Sequence, residues 1–167
     1  TKIIIKMESI KLIQHREGAP FFRIFGLGPK LVPVKAIDQL QNLLEENTFW
    51  AKDRSTTQLR RMIANSSTVV TLWENNKLIG FGRGTSDKSF RAVLWDIVIA
   101  SDHQKLGLGK ILIQSLIESK SIRDAEKIYL MTTNCQQFYN DCGFIEQKTQ
   151  TLLIANKLKF KEQHAHM

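Results

Sequence analysis

The chain has 167 residues, of which 43% are apolar and 24% are charged, and this length and composition fit one globular domain rather than a disordered chain. Lysine and arginine number 24 against 16 acidic residues, so the formal net charge of +8 at pH 7 favours anionic partners. The longest apolar run, 92–100, is short and carries Asp96, which excludes a membrane-spanning helix there.

Two further features bear on the compartment. The two cysteines, Cys135 and Cys142, are too few for a disulfide framework and are expected to be small buried apolar side chains. The apolar core of the first residues, Ile3–Ile5, is too short for a secretory signal. We therefore expect a cytoplasmic protein, or one of an organelle stroma after removal of a transit peptide.

The N-terminal part predicts an arm, one strand and one helix. Residues 1–19 alternate basic and apolar side chains and predict a loose arm or an extra strand. The aromatic segment 21–25 predicts a strand, which the Gly-Leu-Gly-Pro sequence at 26–29 ends. Apolar residues recur at helical spacing over 34–44, which predicts a helix with one buried face.

A second helix and a hairpin follow along the chain. Ser55 or Thr56 can cap the second helix. Its expected buried side chains are Leu59, Met62 and Ile63. The β-branched segment 68–73 predicts a strand, and the turn residues at 74–76 predict that 77–82 returns as its hairpin partner.

The central part contains the most apolar segment of the chain. Residues 91–100 predict a strand that is buried on both faces of a sheet. Gly107 and Gly109 precede an amphipathic helix that is expected to reach Ser119. Residues 127–131 predict a further strand.

The C-terminal part predicts a short helix over 136–142, which Gly143 ends. Segments 144–146 and 151–155 predict a closing hairpin, and 157–167 predicts a polar tail. This order of helices and strands predicts an α/β domain that is built on a mixed sheet.

A glycine-rich segment lies between the buried strand and the amphipathic helix. It consists of Gln104, Lys105, Leu106, Gly107, Leu108, Gly109 and Lys110. Glycines allow close backbone approach and a helix start offers unpaired N–H groups, so the segment predicts a pyrophosphate site. The P-loop pattern fails at Ile111 and the dinucleotide pattern fails at Leu112, which leaves Gln-x-x-Gly-x-Gly. The neighbouring His103 is expected to be a solvated loop residue.

This pattern resembles the acyl-CoA loop of the GNAT superfamily of N-acetyltransferases, whose signature is Arg/Gln-x-x-Gly-x-Gly/Ala. Downstream, Phe-Tyr-Asn-Asp-Cys-Gly-Phe at 138–144 resembles the Phe-Tyr-x-x-x-Gly-Phe element of the same superfamily. Segments 70–73, 78–81, 84–87 and 94–99 are similar to the cyanobacterial and chloroplast branch, which includes serotonin N-acetyltransferase-like enzymes. That branch includes enzymes that acetylate arylalkylamines such as serotonin, and some that acetylate protein lysines.

The resemblance implies a fold and a reaction. The implied fold is an α/β (α+β) domain over 1–167 with a mixed, mostly antiparallel sheet of six or seven strands, splayed at the centre, and about four helices. The implied reaction is N-acetyl transfer from acetyl-CoA to a primary amine by direct attack in a ternary complex. The acceptor is expected to be a small-molecule amine, such as an arylalkylamine or a polyamine, or a protein N-terminus or lysine.

The resemblance also implies roles for individual residues. The expected acetyl-CoA contacts are the segment 104–110 together with Ile97, Val98, Ile99, Asn134, Phe138 and Tyr139. In the family, backbone groups of the central strand hold the pantetheine arm and the thioester oxygen. Tyr139 matches the tyrosine that lies near the sulfur as general acid.

Asp96 and Trp95 are the candidate residues on the acceptor side. Asp96 is either the general base, acting directly or through a water, or a structural partner of Arg83 or Arg91. Strand alternation places Asp96 and Trp95 on opposite faces of the sheet. Trp95 then either lines a pocket for an aromatic amine or packs in the core.

The alternative is a non-catalytic acyl-CoA-binding or nucleic-acid-binding regulatory module on the same fold, which the charge of +8 favours. The basic residues are spread along the chain without a dense block, which disfavours nucleic acid. No metal is expected, because the cysteines lack further ligands and His164 and His166 belong to the polar tail. No membrane partner is expected, and a homodimer is allowed because dimers are common in the superfamily.

Overall fold

The structure is a computed structural model that describes residues 9–157. These residues fall into two compact units, the first unit over 9–133 and the second unit over 134–157. The expectations for residues 1–8 and for the tail from 158 onward lie outside the described residues.

A five-stranded sheet forms the centre of the first unit. Its strands are β1 Ile10–His15, β2 Thr68–Glu74, β3 Lys77–Ser86, β4 Arg91–Ile99 and β5 Lys127–Tyr129, in that spatial order. β1 to β4 are antiparallel to their neighbours, while β5 runs parallel to β4. The mixed, mostly antiparallel sheet is therefore confirmed, and β1 confirms the extra strand expected before position 19.

Five α-helices are present in the described part of the chain. They are α1 Pro20–Arg23, α2 Ala36–Asn47, α3 Thr56–Ala64 and α4 Leu108–Glu118 in the first unit, and α5 Gln136–Asp141 in the second. Short 3-10 turns occupy Pro29–Leu31 and Ser101–His103. The α/β class is confirmed for residues 9–157, but the expected six or seven strands and about four helices are wrong in number.

Local sequence explains the start of α3. Its N-cap is Ser55, whose Oγ accepts a hydrogen bond from the Gln58 N–H at 3.2 Å. The Gln58 side chain accepts in return from the Ser55 N–H at 2.8 Å. This capping box satisfies backbone donors that a helix start leaves unpaired, so the predicted cap is confirmed.

Helices pack on both faces of the sheet. On one face, Phe22 of α1 lies edge-on to Trp73 at 6.2 Å and stacks with Phe81 at 6.3 Å, and all three side chains are buried. On the other face, a Cβ placed at Gly82 would lie 2.6 Å from Leu112 of α4. The glycine therefore allows α4 to lie close against β3.

The strand expected over 21–25 is wrong, because this segment contains helix α1. Pro20 occupies the first turn, where its fixed φ suits a helix and its missing N–H is not needed. Gly18 and Ala19 have positive φ values of 71° and 39° and turn the chain away from β1. One helical turn then buries Phe22 while leaving Phe21 exposed.

The closing hairpin expected over 144–146 and 151–155 is also wrong, since the described residues of this segment form no strand ladder. Ile145 and Leu153 are almost fully exposed. Thr149 folds back locally by donating to the Gln147 side chain at 2.6 Å. Aliphatic composition alone does not make a strand, because the backbone also needs a partner for its hydrogen bonds.

Every helix within residues 9–157 is too short or too polar to cross a membrane.

Candidate functional site

A β-bulge in β4 is the main irregularity of the sheet. Val98 pairs with Phe81 and Trp95 pairs with Arg83, so two residues of β4 face one residue of β3 between these pairs. Asp96 has a φ of 52°, in the left-handed region that few side chains other than Asp and Asn adopt readily. Such an inserted residue bends a strand and redirects its side chains.

The bulge overturns two expectations about β4. Strand alternation predicted Trp95 and Asp96 on opposite faces, yet both contact Arg83. The Arg83 guanidinium carbon lies 5.7 Å from the Trp95 ring centroid, and Arg83 Nε lies 2.7 Å from Asp96 Oδ2. Burial on both faces is wrong as well, because Trp95, Asp96 and Ile97 are partly exposed while Leu94 and Val98 are buried.

β4 and β5 separate immediately before the bulge. They pair only from Arg91 with Lys127 to Val93 with Tyr129. Beyond Val93, β4 keeps β3 on one side but has no strand beside it on the other within residues 9–157. Ile97 is the second residue of the bulge and Val98 and Ile99 follow it, so the backbone of Ile97–Ile99 lies on the splayed stretch, where β4 does not pair with β5.

The glycine loop, residues 104–110, leads from this stretch into α4. Gln104 Nε2 donates to the Ile99 carbonyl at 3.0 Å and so ties the loop to the end of β4. Gly107 is the N-cap of α4 with a φ of 80°, and no side chain caps the helix. The first intrahelical bond runs from the Ile111 N–H to the Gly107 carbonyl at 3.3 Å. The N–H groups of 108–110 therefore remain at the helix start, as an anion site requires.

The space around the glycine loop is open and positive. A Cβ placed at Gly107 would meet no atom within 4 Å. Lys105 and Lys110 are exposed on the loop, while Leu108 is buried and anchors the helix start. Because the backbone donors, the dipole of α4 and the two lysines all favour negative charge, the loop can hold a phosphate group.

His103 is buried, with 2% of its surface exposed, so the expectation of a solvated loop residue is wrong. Its Nδ1 lies 2.7 Å from Asp102 Oδ1 and its Nε2 lies 3.1 Å from Glu74 Oε2. The hydrogen bond with His103 lowers the pKa of Asp102. His103 thus links the start of the glycine loop to the end of β2, which no sequence pattern indicated.

Sequence reasoning also missed Arg54, which directly precedes the cap of α3. Arg54 Nη1 lies 2.9 Å from Asp96 Oδ1, so Asp96 holds two guanidinium groups. Of the two arginines left open as structural partners of Asp96, Arg83 contacts it, whereas Arg91 instead lies 3.6 Å from Glu126. A partner 42 residues away leaves no local signal. We call Arg54, Asp96 and Arg83 the carboxylate clamp.

The second unit holds the remaining expected site residues. Tyr139 of α5 lies edge-on to Phe138 at 5.1 Å and to Phe144 at 6.1 Å. Burial, together with the nearby thiols of Cys135 and Cys142, raises the pKa of Tyr139 to about 12. The phenol therefore keeps its proton at neutral pH.

Other residues of this unit differ in exposure from what was expected. Asn134 is exposed, and its side chain accepts a hydrogen bond from Cys135 Sγ at 3.4 Å. Cys135 is exposed and Cys142 is partly exposed, so the expectation of buried cysteines is wrong. Gly143 has a φ of 92° after the last turn of α5, as predicted for the residue that ends this helix.

Comparison with known proteins identifies relatives of this chain. The family model described as Acetyltransferase (GNAT) family matches residues 37–144. The uncharacterized N-acetyltransferase ycf52 of Pyropia yezoensis is 38% identical over 106 residues, which cover 60% of each chain. The chloroplastic GCN5-related N-acetyltransferase 2 of Arabidopsis thaliana is 38% identical over 72 residues, 42% of this chain and 28% of the relative.

A solved structure shows the same fold. An acetyltransferase of the GNAT family from Streptococcus pneumoniae superposes with a TM-score of 0.64 at 15% sequence identity, covering 88% of this chain and 98% of that chain. The algal and plant relatives confirm the similarity to the cyanobacterial and chloroplast branch.

Proposed function

Because this chain belongs to the GNAT acetyltransferase family, we propose that it transfers an acetyl group from acetyl-CoA to a primary amine by direct attack in a ternary complex. The observation that carries the proposal is the glycine loop. An uncapped helix start, an open space at Gly107 and two exposed lysines suit the pyrophosphate of acetyl-CoA. The net charge of +8 also favours this polyanionic substrate.

The acetyl-CoA contacts are divided between backbone and side chains in this proposal. The backbone of Ile97–Ile99, on the splayed stretch of β4, holds the pantetheine arm and the thioester oxygen. Asn134 and Phe138 are proposed as further contacts to the arm. Acetyl-CoA supplies an activated thioester, and the chain's own groups orient it and exclude water.

Tyr139 is the proposed general acid, and the protonation state of its phenol supports this role. A phenol with a pKa of about 12 keeps its proton across the physiological range, so Tyr139 can give this proton to the departing thiolate, and the proton that the attacking amine loses returns through solvent to the phenolate. Tyr139→Phe should lower kcat by about 100-fold or more while leaving the Kd for acetyl-CoA within about twofold. A matching loss of acetyl-CoA affinity, with unchanged kcat, would assign Tyr139 to binding instead.

The acceptor is a small-molecule amine or a protein amine in this proposal. Trp95 offers little free surface for contact with the acceptor amine. Arg83 covers one face of the Trp95 indole, and the Trp95 Nε1–H donates a hydrogen bond to Thr85 at 2.9 Å. Two Arabidopsis relatives are named as chloroplastic, so we keep an organelle stroma beside the cytoplasm as the proposed compartment.

Release of the CoA thiol tests the function directly. The protein is incubated with acetyl-CoA and with arylalkylamines, polyamines or lysine peptides in separate reactions, and free thiol is measured against time. Amine-dependent release, with the acetylated amine found by mass spectrometry, supports the proposal. Tight acetyl-CoA binding without release for any amine class would favour a non-catalytic acyl-CoA-binding module.

A further inference from the structure

We infer that Asp96 is a positioning residue, whose carboxylate holds the β4 bulge in shape through Arg54 and Arg83. It thereby sets the backbone of Ile97–Ile99 and does not accept the proton of the amine. The kinetic consequences of this inference rest on the proposed function, whereas its structural consequence does not.

The contacts of Asp96 occupy both of its oxygens. Oδ1 accepts from Arg54 Nη1 at 2.9 Å and Oδ2 accepts from Arg83 Nε at 2.7 Å. The Asp96 side chain is only 6% exposed, against 15% for Arg83 and 30% for Arg54. Hydrogen bonds between a guanidinium group and a carboxylate are among the stronger ones in proteins, so these two contacts hold the side chain in place. Each oxygen already accepts a hydrogen bond from an arginine, so taking a proton from an amine would weaken one of these two contacts.

The two arginines are themselves held in place. Arg54 Nη1 lies 3.6 Å from Met62 Sδ of α3, and the Arg54 carbonyl accepts from Gln41 of α2 at 2.9 Å. Arg83 is fixed by its own strand and by the Trp95 ring. The carboxylate clamp therefore ties β3, β4 and the α2–α3 connection to one point of the bulge.

The backbone at Asp96 explains why such a clamp is needed. A φ of 52° costs Asp less than it costs most residues but more than it costs glycine, so surrounding contacts help to hold the bulge. Glycine would adopt this conformation freely but would supply no carboxylate. Since Ile97 directly follows, relaxation of the bulge would shift the backbone on which the proposed thioester contacts lie.

The general-base role and the positioning role predict different kinetic effects for mutation of the residues that contact Asp96. Asp96→Asn removes the charge in either case. If Asp96 positions β4, Arg54→Met should lower kcat/KM for acetyl-CoA by about tenfold, as Asp96→Asn does, and the double variant should be no worse than either single variant. The pH dependence of kcat should keep its shape in all three variants.

The base role predicts the opposite pattern. Asp96→Asn would then lower kcat by about 10²–10⁴-fold and remove the acidic limb of the pH profile, while Arg54→Met would keep kcat within a few-fold. That result would overturn the inference. Glu17→Gln serves as the matched control, because it removes an exposed ion pair to Lys88 whose length of 2.9 Å equals that of the Arg54–Asp96 pair. This variant should change neither kcat nor kcat/KM.

Hydrogen exchange gives a readout that needs no activity. Amides of the peptide containing Ile97–Ile99 should exchange about tenfold faster in Asp96→Asn and in Arg54→Met, whereas the Val69–Leu72 part of β2 should exchange as in the wild type. Unchanged exchange at Ile97–Ile99 in Arg54→Met, a variant expected to stay folded because Arg54 is partly exposed, would contradict the clamp. If no amine is acetylated, the proposed function fails while this exchange result still decides the inference.

Discussion

In the sequence the glycine loop follows the turn Ser101–His103 and the residues of the carboxylate clamp precede it, and different forces hold the two regions in shape. The loop is exposed, and its form comes from backbone conformation at Gly107 and from the start of α4. The clamp is largely buried, and its form comes from charged side chains on separate elements. One part of the site therefore depends only on the conformation of a short segment and tolerates mutation. The other part depends on the packing of several helices and strands.

Mutations in the two regions are expected to cost different amounts of stability for the same reason. Breaking a buried ion pair leaves a charge without compensation, which typically costs several kcal/mol. Changing an exposed loop costs little stability and acts mainly on the ligand that the loop binds. Mutations should thus separate the two regions, because those in the clamp act on unfolding and those in the loop act on binding.

The largest effect is expected for Asp96→Ala. Both arginines would lose their anion, and the free energy of unfolding should fall by about 3 kcal/mol, the low end for buried pairs because Arg54 keeps some exposure. Urea denaturation monitored by tryptophan fluorescence measures this change. Glu17→Ala, which breaks an exposed ion pair, should cost less than about 1 kcal/mol. Equal losses in both variants would show that burial gives the clamp no more stability than an exposed ion pair has.

Gly107→Val should act next most strongly, and on binding. The side chain would enter the open space at the start of α4, and we expect the Kd for acetyl-CoA to rise about thirtyfold, or about 2 kcal/mol. Calorimetric titration measures the affinity. The strain of a β-branched residue at a φ of 80° should add a stability loss of roughly 1–2 kcal/mol. An unchanged Kd would show that the phosphates bind elsewhere.

His103→Asn should give an intermediate effect, because His103 is buried but its two partners, Asp102 and Glu74, are only partly covered. Loss of the contacts to Asp102 and Glu74 should lower stability by about 1.5 kcal/mol at pH 7. The His103 contact lowers the pKa of Asp102 from its ordinary value of 3.8, so this contribution is present above that value and is lost as the pH falls below it. The difference in urea midpoint between variant and wild type should therefore be smaller at pH 3 than at pH 7.

The smallest effects are expected for Lys105→Gln and Lys110→Gln. Each removes one exposed charge beside the helix start, which is worth about 0.3–1 kcal/mol, so the Kd should rise about two- to fivefold. The effect should shrink in 0.5 M salt because exposed charges are screened. Lys157→Gln, in the second unit, serves as the charge-matched control. A salt-independent loss would point to a packing role for the lysines.

The same contrast explains what could be predicted from the sequence. The glycine loop, helix α3 and the β2–β3 hairpin were predictable because glycine spacing, the Ser55 cap and turn residues act over a few positions. The bulge depends on the register between β3 and β4, and the clamp joins residues 42 positions apart. No local pattern contains this information, so the opposite-face prediction for Trp95 and Asp96 was wrong.

Two further errors have related causes. Residues 21–25 carry aromatic side chains that suit either a strand or a helix, and the flanking Pro20 and the packing of Phe22 decide for the helix. Residues 151–155 have strand-forming side chains, but a strand also requires a partner, which the described residues of that segment lack. Periodicity predicts which face a segment can bury, not whether a neighbour is present to cover it.

Binding of acetyl-CoA to the glycine loop is the central claim, and a thermal shift with acetyl-CoA, CoA and ATP tests it most directly. A ligand at 100 times its Kd stabilises the folded protein by about 2.7 kcal/mol, which raises the Tm measurably. We predict a rise with acetyl-CoA and with CoA but not with ATP, and a much smaller rise for Gly107→Val. No rise with either CoA species, or an equal rise in Gly107→Val, would contradict the assignment of this loop.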